Sequence, residues 1–460
     1  MAAIVVPDRP PPLGELRPTL ALAVPVVLTE LGWMVMGVVD TVMVGPLGTE
    51  AIGAVGLGNI LFFMVNTFGY GLLLGLDTLV SQAFGAGKLD ECHRSMAQGV
   101  YLSVALAVPS MAACWVVTSW LPALGIDASI AGPTRPYMNA LSYSFLPLFG
   151  YVALRRYLQA MNVVRSVLIA LVTANLVNWG ANWVLIYGHL GMPRLGVAGS
   201  GWSTVIGRSW MLLALVVAVV AHDRRTGGGL WRSDLRPDWR RMRRLIGLGL
   251  PAAAYLALEV GVFTLASVFA ARLGVAALAA HEMALQLASL TFMVPLGVSS
   301  AGAVRVGQAI GRGDLPGAGR AGWMALAIGL GFASCSALMF LSLPRTLLSI
   351  YTDDPSVLSL GATLLAIAAV FQLLDATQVI AAGNLRGAGD TRTPMLCNLV
   401  VHWFVGLPVG YIMAFTLGKG VVGLWLGLMT GLILSGLVLL GAWSRRAGRW
   451  RVAAGSHPGL

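Results

Sequence analysis

The sequence predicts an all-α polytopic membrane protein with twelve transmembrane helices in two six-helix lobes. Three observations carry that prediction. Of 460 residues, 57% are hydrophobic and 11% charged, against roughly 25% charged in a soluble domain. So few charges cannot cover a water-facing surface. Apolar runs follow one another from end to end, and about 20 apolar residues cross a bilayer core as a helix. The chain also repeats itself at a displacement of 226 residues. Pro25 then meets Pro251, and Leu47-Gly48 meets Leu273-Gly274. Val80, Gln82, Gly85, Gly87 and Leu89 meet Val306, Gln308, Gly311, Gly313 and Leu315. Further on, Leu158 and Arg165 lie opposite Leu385 and Arg392 at a displacement of 227.

The spans run over 20–44, 51–74, 96–120, 137–154, 167–186, 197–221, 245–271, 275–304, 321–343, 357–383, 395–417 and 421–443. Helices satisfy every backbone N–H within the segment, as hydrocarbon demands. A β-barrel would alternate apolar and polar residues in segments of about ten, and this chain does not. Six spans per half is an even number, so the halves are parallel repeats. The expected parts are a cytoplasmic N-terminal tail (1–19), an N-lobe (20–221), a basic cytoplasmic linker (222–244), a C-lobe (245–443) and a basic C-terminal tail (444–460).

The basic residues orient the bundle. With the N-terminus in the cytoplasm, 24 Lys and Arg fall in inside segments, among them Arg9, Arg155 and Arg156, and 5 fall outside. That asymmetry places both termini in the cytoplasm and the protein in a cell inner membrane. It also explains the net charge of +11 without a nucleic-acid partner. The first apolar run is too long for the core of a cleaved signal. Cys92, Cys114, Cys335 and Cys397 have no C-x-x-C spacing and read as free thiols, with no metal.

Ionisable residues inside spans mark function, because each opposes insertion by about 2.5–3.5 kcal/mol. Glu30 and Asp40 lie in span 1, Glu259 in span 7, His281 and Glu282 in span 8, and Asp375 in span 10; Asp77 ends span 2. None has a Lys or Arg three or four residues after it in its helix. Such a carboxylate either binds and releases a proton or ligates a small cation. Asn175, Asn178 and Asn182 share one face of span 5, placed to meet Asp40 with Ser200, Ser203 and Thr204 of span 6. The alternative for these Asn and Ser residues is plain interhelical hydrogen bonding. Trp33, Met34, Met36, Phe62, Phe63 and Met64 either line a promiscuous wall or simply pack. Pro25 and Pro251 are matched across the repeat and are candidate hinges.

Enzyme signatures fail. Gly85-Ala-Gly-Lys88 lacks the rest of a phosphate-binding loop, and Leu285 stands where a zinc protease beginning at His281-Glu282 needs its second His. Gly387-Ala-Gly-Asp390 falls in a polar loop, not in a span as an intramembrane protease requires.

Three motifs point elsewhere. They are Val39-Asp40-Thr41-Val42-Met43-Val44-Gly45, the stretch Gly-Leu-Asp-Thr-Leu-Val-Ser-Gln-Ala-Phe-Gly-Ala-Gly at 75–87, and Asn-Leu-Arg-Gly-Ala-Gly-Asp-Thr-Arg-Thr-Pro at 384–394. Together they resemble the multidrug and toxic-compound extrusion (MATE) family over nearly the whole chain. The resemblance implies a V-shaped two-lobe antiporter that exports amphipathic, often cationic compounds in exchange for H⁺ or Na⁺. It implies cation coupling at Asp40, Asn178, Asn182, Glu259, Glu282 and Asp375; the residue reading adds an expected substrate cavity that takes in Glu30, Trp33, Met36 and Thr204. Asn182 stands where Na⁺-binding members often have Asp, so Na⁺, if used, belongs at Glu259 and Asp375. The paired acidic sets resemble the NorM-like branch. The expected partners are small organic cations and the lipid bilayer, the expected state is a monomer, and no cofactor is implied beyond the coupling ion. The rival readings are a lipid-linked saccharide flippase, which wants several cations in its spans where only Arg208 is evident, and, more remotely, an intramembrane enzyme.

Overall fold

The computed structural model describes residues 12–455. Arg9 and the outer parts of both tails lie outside the described residues. The described chain is helical, without a strand: α1 (Leu16–Val44), α2 (Thr49–Leu73), α3 (Gly75–Gly85), α4 (Leu89–Trp120), α5 (Ala128–Ser142), α6 (Phe145–Ala160), α7 (Val164–Tyr187) and α8 (Val197–Thr226). The second half has α9 (Trp239–Arg272), α10 (Val275–Gly311), α11 (Leu315–Ser342), the short α12 (Pro344–Leu348), α13 (Pro355–Gly387), α14 (Arg392–Asn398), α15 (Leu407–Tyr411) and α16 (Gly420–Gly455). Among the described residues, 11 helical stretches are long and apolar enough to cross a membrane. The twelfth crossing is α5 followed by α6, a helix broken at Tyr143–Ser144. Pro147 has no N–H to meet the Tyr143 carbonyl, and the chain turns there. In the other repeat Leu374 stands in that place, and α13 runs through unbroken.

The repeat is written into the backbone. Gly48 and Gly274 share φ values of 113° and 112°, Gly87 and Gly313 values of 71° and 78°, and Asn162 and Gly389 values of 65° and 83°. These left-handed positions open the same loops in both halves, and only Gly, or less readily Asn, adopts them without strain. The span between α14 and α16 is wound as π-helix over Leu399–Gly406 and again over Ile412–Thr416. Those turns flank Pro408, which has no N–H to give to the helix ladder.

The chain forms two compact units, one of Leu28–Val260 and one of the residues up to Val27 with Gly261 onward. The boundaries fall inside α1 and α9. Within the first unit, the start of α9 packs tightly on α2: a Cβ at Gly249 would lie 2.0 Å from the Leu72 carbonyl oxygen, and one at Gly71 would lie 2.4 Å from Cα of Ala253. Within the second, a Cβ at Gly297 would lie 2.8 Å from Cα of Val27, the repeat image of the Gly71–Ala253 approach. Small residues admit such backbone contact where apolar burial alone gives no drive. Ion pairs fasten the same two helix starts: Arg241 of α9 to Glu91 of α4, and Glu15 to Arg305 of α10. Asp238 caps α9, accepting from the Arg240 and Arg241 backbone N–H groups at 2.9 and 3.3 Å. The Arg241 N–H bond is the main cause that holds its carboxyl below the ordinary carboxylate range.

One expectation is corrected here. Arg155 and Arg156 are not loop residues; both are buried in α6, where Arg155 pairs with Glu30 of α1 and Arg156 with Asp77 of α3 at 3.5 Å. Arg156 also donates to the Tyr70 hydroxyl. Glu30 thus has a guanidinium partner from a distant helix. The remaining inside excess of basic residues still stands. Because neither ion of the Glu30–Arg155 pair reaches water, Arg155→Met should lower stability by about 3–5 kcal/mol by stranding Glu30. Glu30→Gln/Arg155→Met should recover much of that loss, as measured by thermal unfolding in detergent.

Candidate functional site

Asp40 is buried in α1. Its Oδ1 accepts from Asn182 Nδ2 at 2.7 Å and its Oδ2 from Thr204 Oγ1 at 2.9 Å. The same Asn182 amide reaches Asn178 Oδ1 at 3.2 Å. Asn178 and Asn182 are one turn apart on α7, and Ser200, Thr204 and Arg208 are successive turns of α8, so two helix faces converge on one carboxylate. No ion pair within 4 Å involves Asp40 among the described residues. Arg208 follows Thr204 by one turn on the same face of α8.

The arrangement suits two protonation states. Both groups bonded to Asp40 are neutral donors, which fit an ionised carboxylate. Asn182 Oδ1 and Ser200 Oγ are buried without a hydrogen-bond partner. Buried polar atoms of this kind are expensive to leave unused. An inverted Asn182 amide would present Oδ1 to a protonated Asp40 and accept its O–H, so the same pair of side chains serves the acid and its conjugate base.

Around this centre, Arg208 Nη1 donates to Ser144 Oγ, and the break between α5 and α6 exposes that hydroxyl to it. The guanidinium lies 4.5 Å from the Phe62 ring centre and 6.0 Å from that of Trp33. Trp33 meets Tyr151 edge-on at 5.9 Å. Met36 and Thr204 are buried. Two of the polar residues expected beside Asp40 do other work: Asn175 donates to the Gly32 carbonyl at 3.3 Å and Ser203 to the Gly199 carbonyl at 2.7 Å.

The C-terminal acidic residues are divided between the two units. Glu259, half-buried on α9, belongs to the unit of Leu28–Val260, whereas Glu282 and Asp375 belong to the other. Asp375 lines a narrow cleft of about 10 Å³ with Thr291, Phe292, Phe332, Phe371 and Gln372, and Gln372 donates to Thr291 at 2.9 Å. Asp375 has no ion pair or hydrogen bond among the described residues. Glu282 is exposed, beside a fully buried His281. Trp425 Nε1 donates to His281 Nδ1 at 2.9 Å, and the other ring nitrogen meets Ser267 Oγ at 3.0 Å. Indole is a donor only, so this imidazole is neutral, with its proton on Nε2.

Sequence reasoning missed three ionisable side chains inside the bundle. Arg155 and Arg156 are the two residues just past a span drawn to end at 154. His402, bonded to Gln378 Oε1 at 3.3 Å on the first π-helical stretch, lay within span 11 and was legible there.

A model of the MatE family matches residues 25–184 and again 251–412, its two starts 226 residues apart. The chain belongs to the MATE family. It is 37% identical to a probable multidrug resistance protein NorM of Mesorhizobium japonicum, with 94% of each chain covered. To the protein of the same name in Bradyrhizobium diazoefficiens it is 36% identical, over 93% of this chain and 92% of that one. These relatives place it on the NorM-like branch. The eukaryotic MATE transporter AtDTX14 shares the fold with a TM-score of 0.85 at 18% identity, covering 96% of this chain and 99% of that one. A transporter of the MOP superfamily from Pyrococcus furiosus does so with a TM-score of 0.84 at 17% identity, over 95% and 97%. As a MATE multidrug efflux transporter, the protein has a direct assay. Thr204→Val leaves Asp40 Oδ2 without a donor, a loss of about 1–3 kcal/mol. It should cut ethidium efflux from dye-loaded cells about tenfold, while Thr204→Ser stays near the unaltered protein.

Proposed function

We propose that this MATE transporter is a secondary antiporter of the inner membrane, monomeric and with cytoplasmic termini, that exports amphipathic cations in exchange for H⁺ or Na⁺. The observation that carries the reading is the Asp40 carboxylate, buried and met by neutral donors with no ion pair among the described residues. A buried charge left in that state changes its occupancy at small cost, whereas one locked to a guanidinium does not. H⁺ is the reading at this position, because an inverted Asn182 amide accepts the O–H of the acid form. Na⁺ at Glu259 or Asp375 is the alternative, and the assay below separates the two.

In the cycle proposed, ionised Asp40 favours a lipophilic cation, and an ion arriving from outside neutralises the carboxylate and releases that cation. Neutralisation also removes the desolvation cost of closing the site. One charge moving through 100 mV supplies about 2.3 kcal/mol, and a tenfold substrate gradient costs about 1.4 kcal/mol. Pro25 and Pro251 each remove a helix hydrogen bond, and we assign them as hinges in α1 and α9.

The test is ethidium efflux from a pump-deficient bacterium while ΔpH and the Na⁺ gradient are collapsed separately. Loss with one gradient identifies the ion, and unchanged efflux with both gone refutes coupling. Asp40→Asn, Glu259→Gln and Asp375→Asn should each preserve expression and reduce efflux at least about tenfold, the scale of a 1.4 kcal/mol loss. Normal efflux in all three would remove the site assignment.

A further inference from the structure

Three arginines of the unit of Leu28–Val260 lie at the centre of its helices, Arg155 and Arg156 fully buried and Arg208 partly so, and they are not equivalent. Arg155 and Arg156 have carboxylate partners in Glu30 and Asp77. Arg208 has no ion pair within 4 Å among the described residues. It is held instead by Ser144 Oγ, with its Nε buried and without a hydrogen-bond partner. Thr204, one turn away on α8, holds Asp40. The other groups facing Asp40 are Asn178 and Asn182 from α7 and Tyr137 from α5, whose phenol donates to Asn59 of α2 at 2.9 Å. All of these are neutral near physiological pH. Arg208 is the remaining charge, and a guanidinium does not lose its proton in a protein.

Two consequences follow. With Asp40 ionised, the centre is electrically neutral; with Asp40 protonated, it carries one positive charge. Moreover, Arg208 already sits over Phe62 and near Trp33, so the cation-binding faces of these rings are occupied from within. We infer that Arg208 is a specificity-determining residue of the Asp40 site, a fixed cation that lowers the site's affinity for a positively charged compound in both protonation states and makes the protonated state repel it. Release is then driven by repulsion as well as by loss of attraction. A neutral compound of the same shape is insensitive to this charge. The inference rests on the reading of Asp40 as the coupling residue, and its test separates the two.

Equilibrium binding of tetraphenylphosphonium and of neutral triphenylphosphine oxide to the purified full chain is measured at pH values of about 8 and about 5.5, which bracket neutrality. Arg208→Gln should tighten the phosphonium about tenfold at both pH values, the scale of one unit charge at about 8 Å in a partly polar medium, and leave the phosphine oxide unchanged. Arg208→Lys should behave as the unaltered protein. Equal changes for both probes, or no change for either, overturn the inference. Should Arg208→Gln not fold, Arg208→Met makes the same comparison, with Arg208→Lys as the charge-preserving control. Asp40→Asn reports on the underlying reading: it should abolish the pH dependence of phosphonium binding. If that dependence survives, Asp40 coupling fails, while the charge discrimination by Arg208 is still read at a single pH.

Discussion

A charge inside a helix bundle must be answered by another charge or by oriented dipoles, and the ways this protein answers its buried carboxylates order everything else in it. Glu30 and Asp77 are answered by guanidinium groups. Asp40 is answered by an amide and a hydroxyl. The first solution fixes a charge and ties α1, α3 and α6 together. The second leaves the carboxylate without a fixed counter-charge, which is what the proposed coupling needs. One helix, α1, carries both kinds ten residues apart, about 15 Å along its axis, so a structural tie and the proposed coupling carboxylate share the stretch of α1 that follows Pro25.

The two repeats keep their loops and diverge in their helix interiors. Left-handed positions at Gly48 and Gly274, and at Gly87 and Gly313, are retained because the turn demands them. The helix that is broken before α6 is continuous in α13. The break places Ser144 against Arg208, while in the unbroken copy the corresponding stretch leads into Asp375 and its cleft. The two copies share the scaffold, and the break before Pro147 is one place where their chemistry differs. The reciprocal Gly71–Ala253 and Val27–Gly297 contacts show the same economy: one close backbone approach, used once in each unit.

Much of this was legible without coordinates. The spans, the 226-residue displacement and Asp40 with its Asn178–Asn182–Thr204 neighbourhood follow from hydrophobicity and helical spacing, because those partners lie on single helix faces. Arg155 and Arg156 were misplaced because a span was closed at the first charged residue, as any hydropathy argument does. Glu30 was assigned to a cavity because its helix offers no cation at three or four residues' distance, yet its partner lies 125 residues away in sequence. Asn175 and Ser203 shared the right faces and still bonded to carbonyls nearby.

The sequence by itself determined that this chain crosses the membrane as two duplicated helical halves and that acidic groups are carried inside them, since hydrocarbon length and the cost of burying charge are local rules that residue order alone satisfies. Which of those groups are neutralised was decided by tertiary structure. Pairing depends on side chains from helices far apart in the chain meeting within a few ångströms, and no periodicity along one helix encodes what stands opposite it.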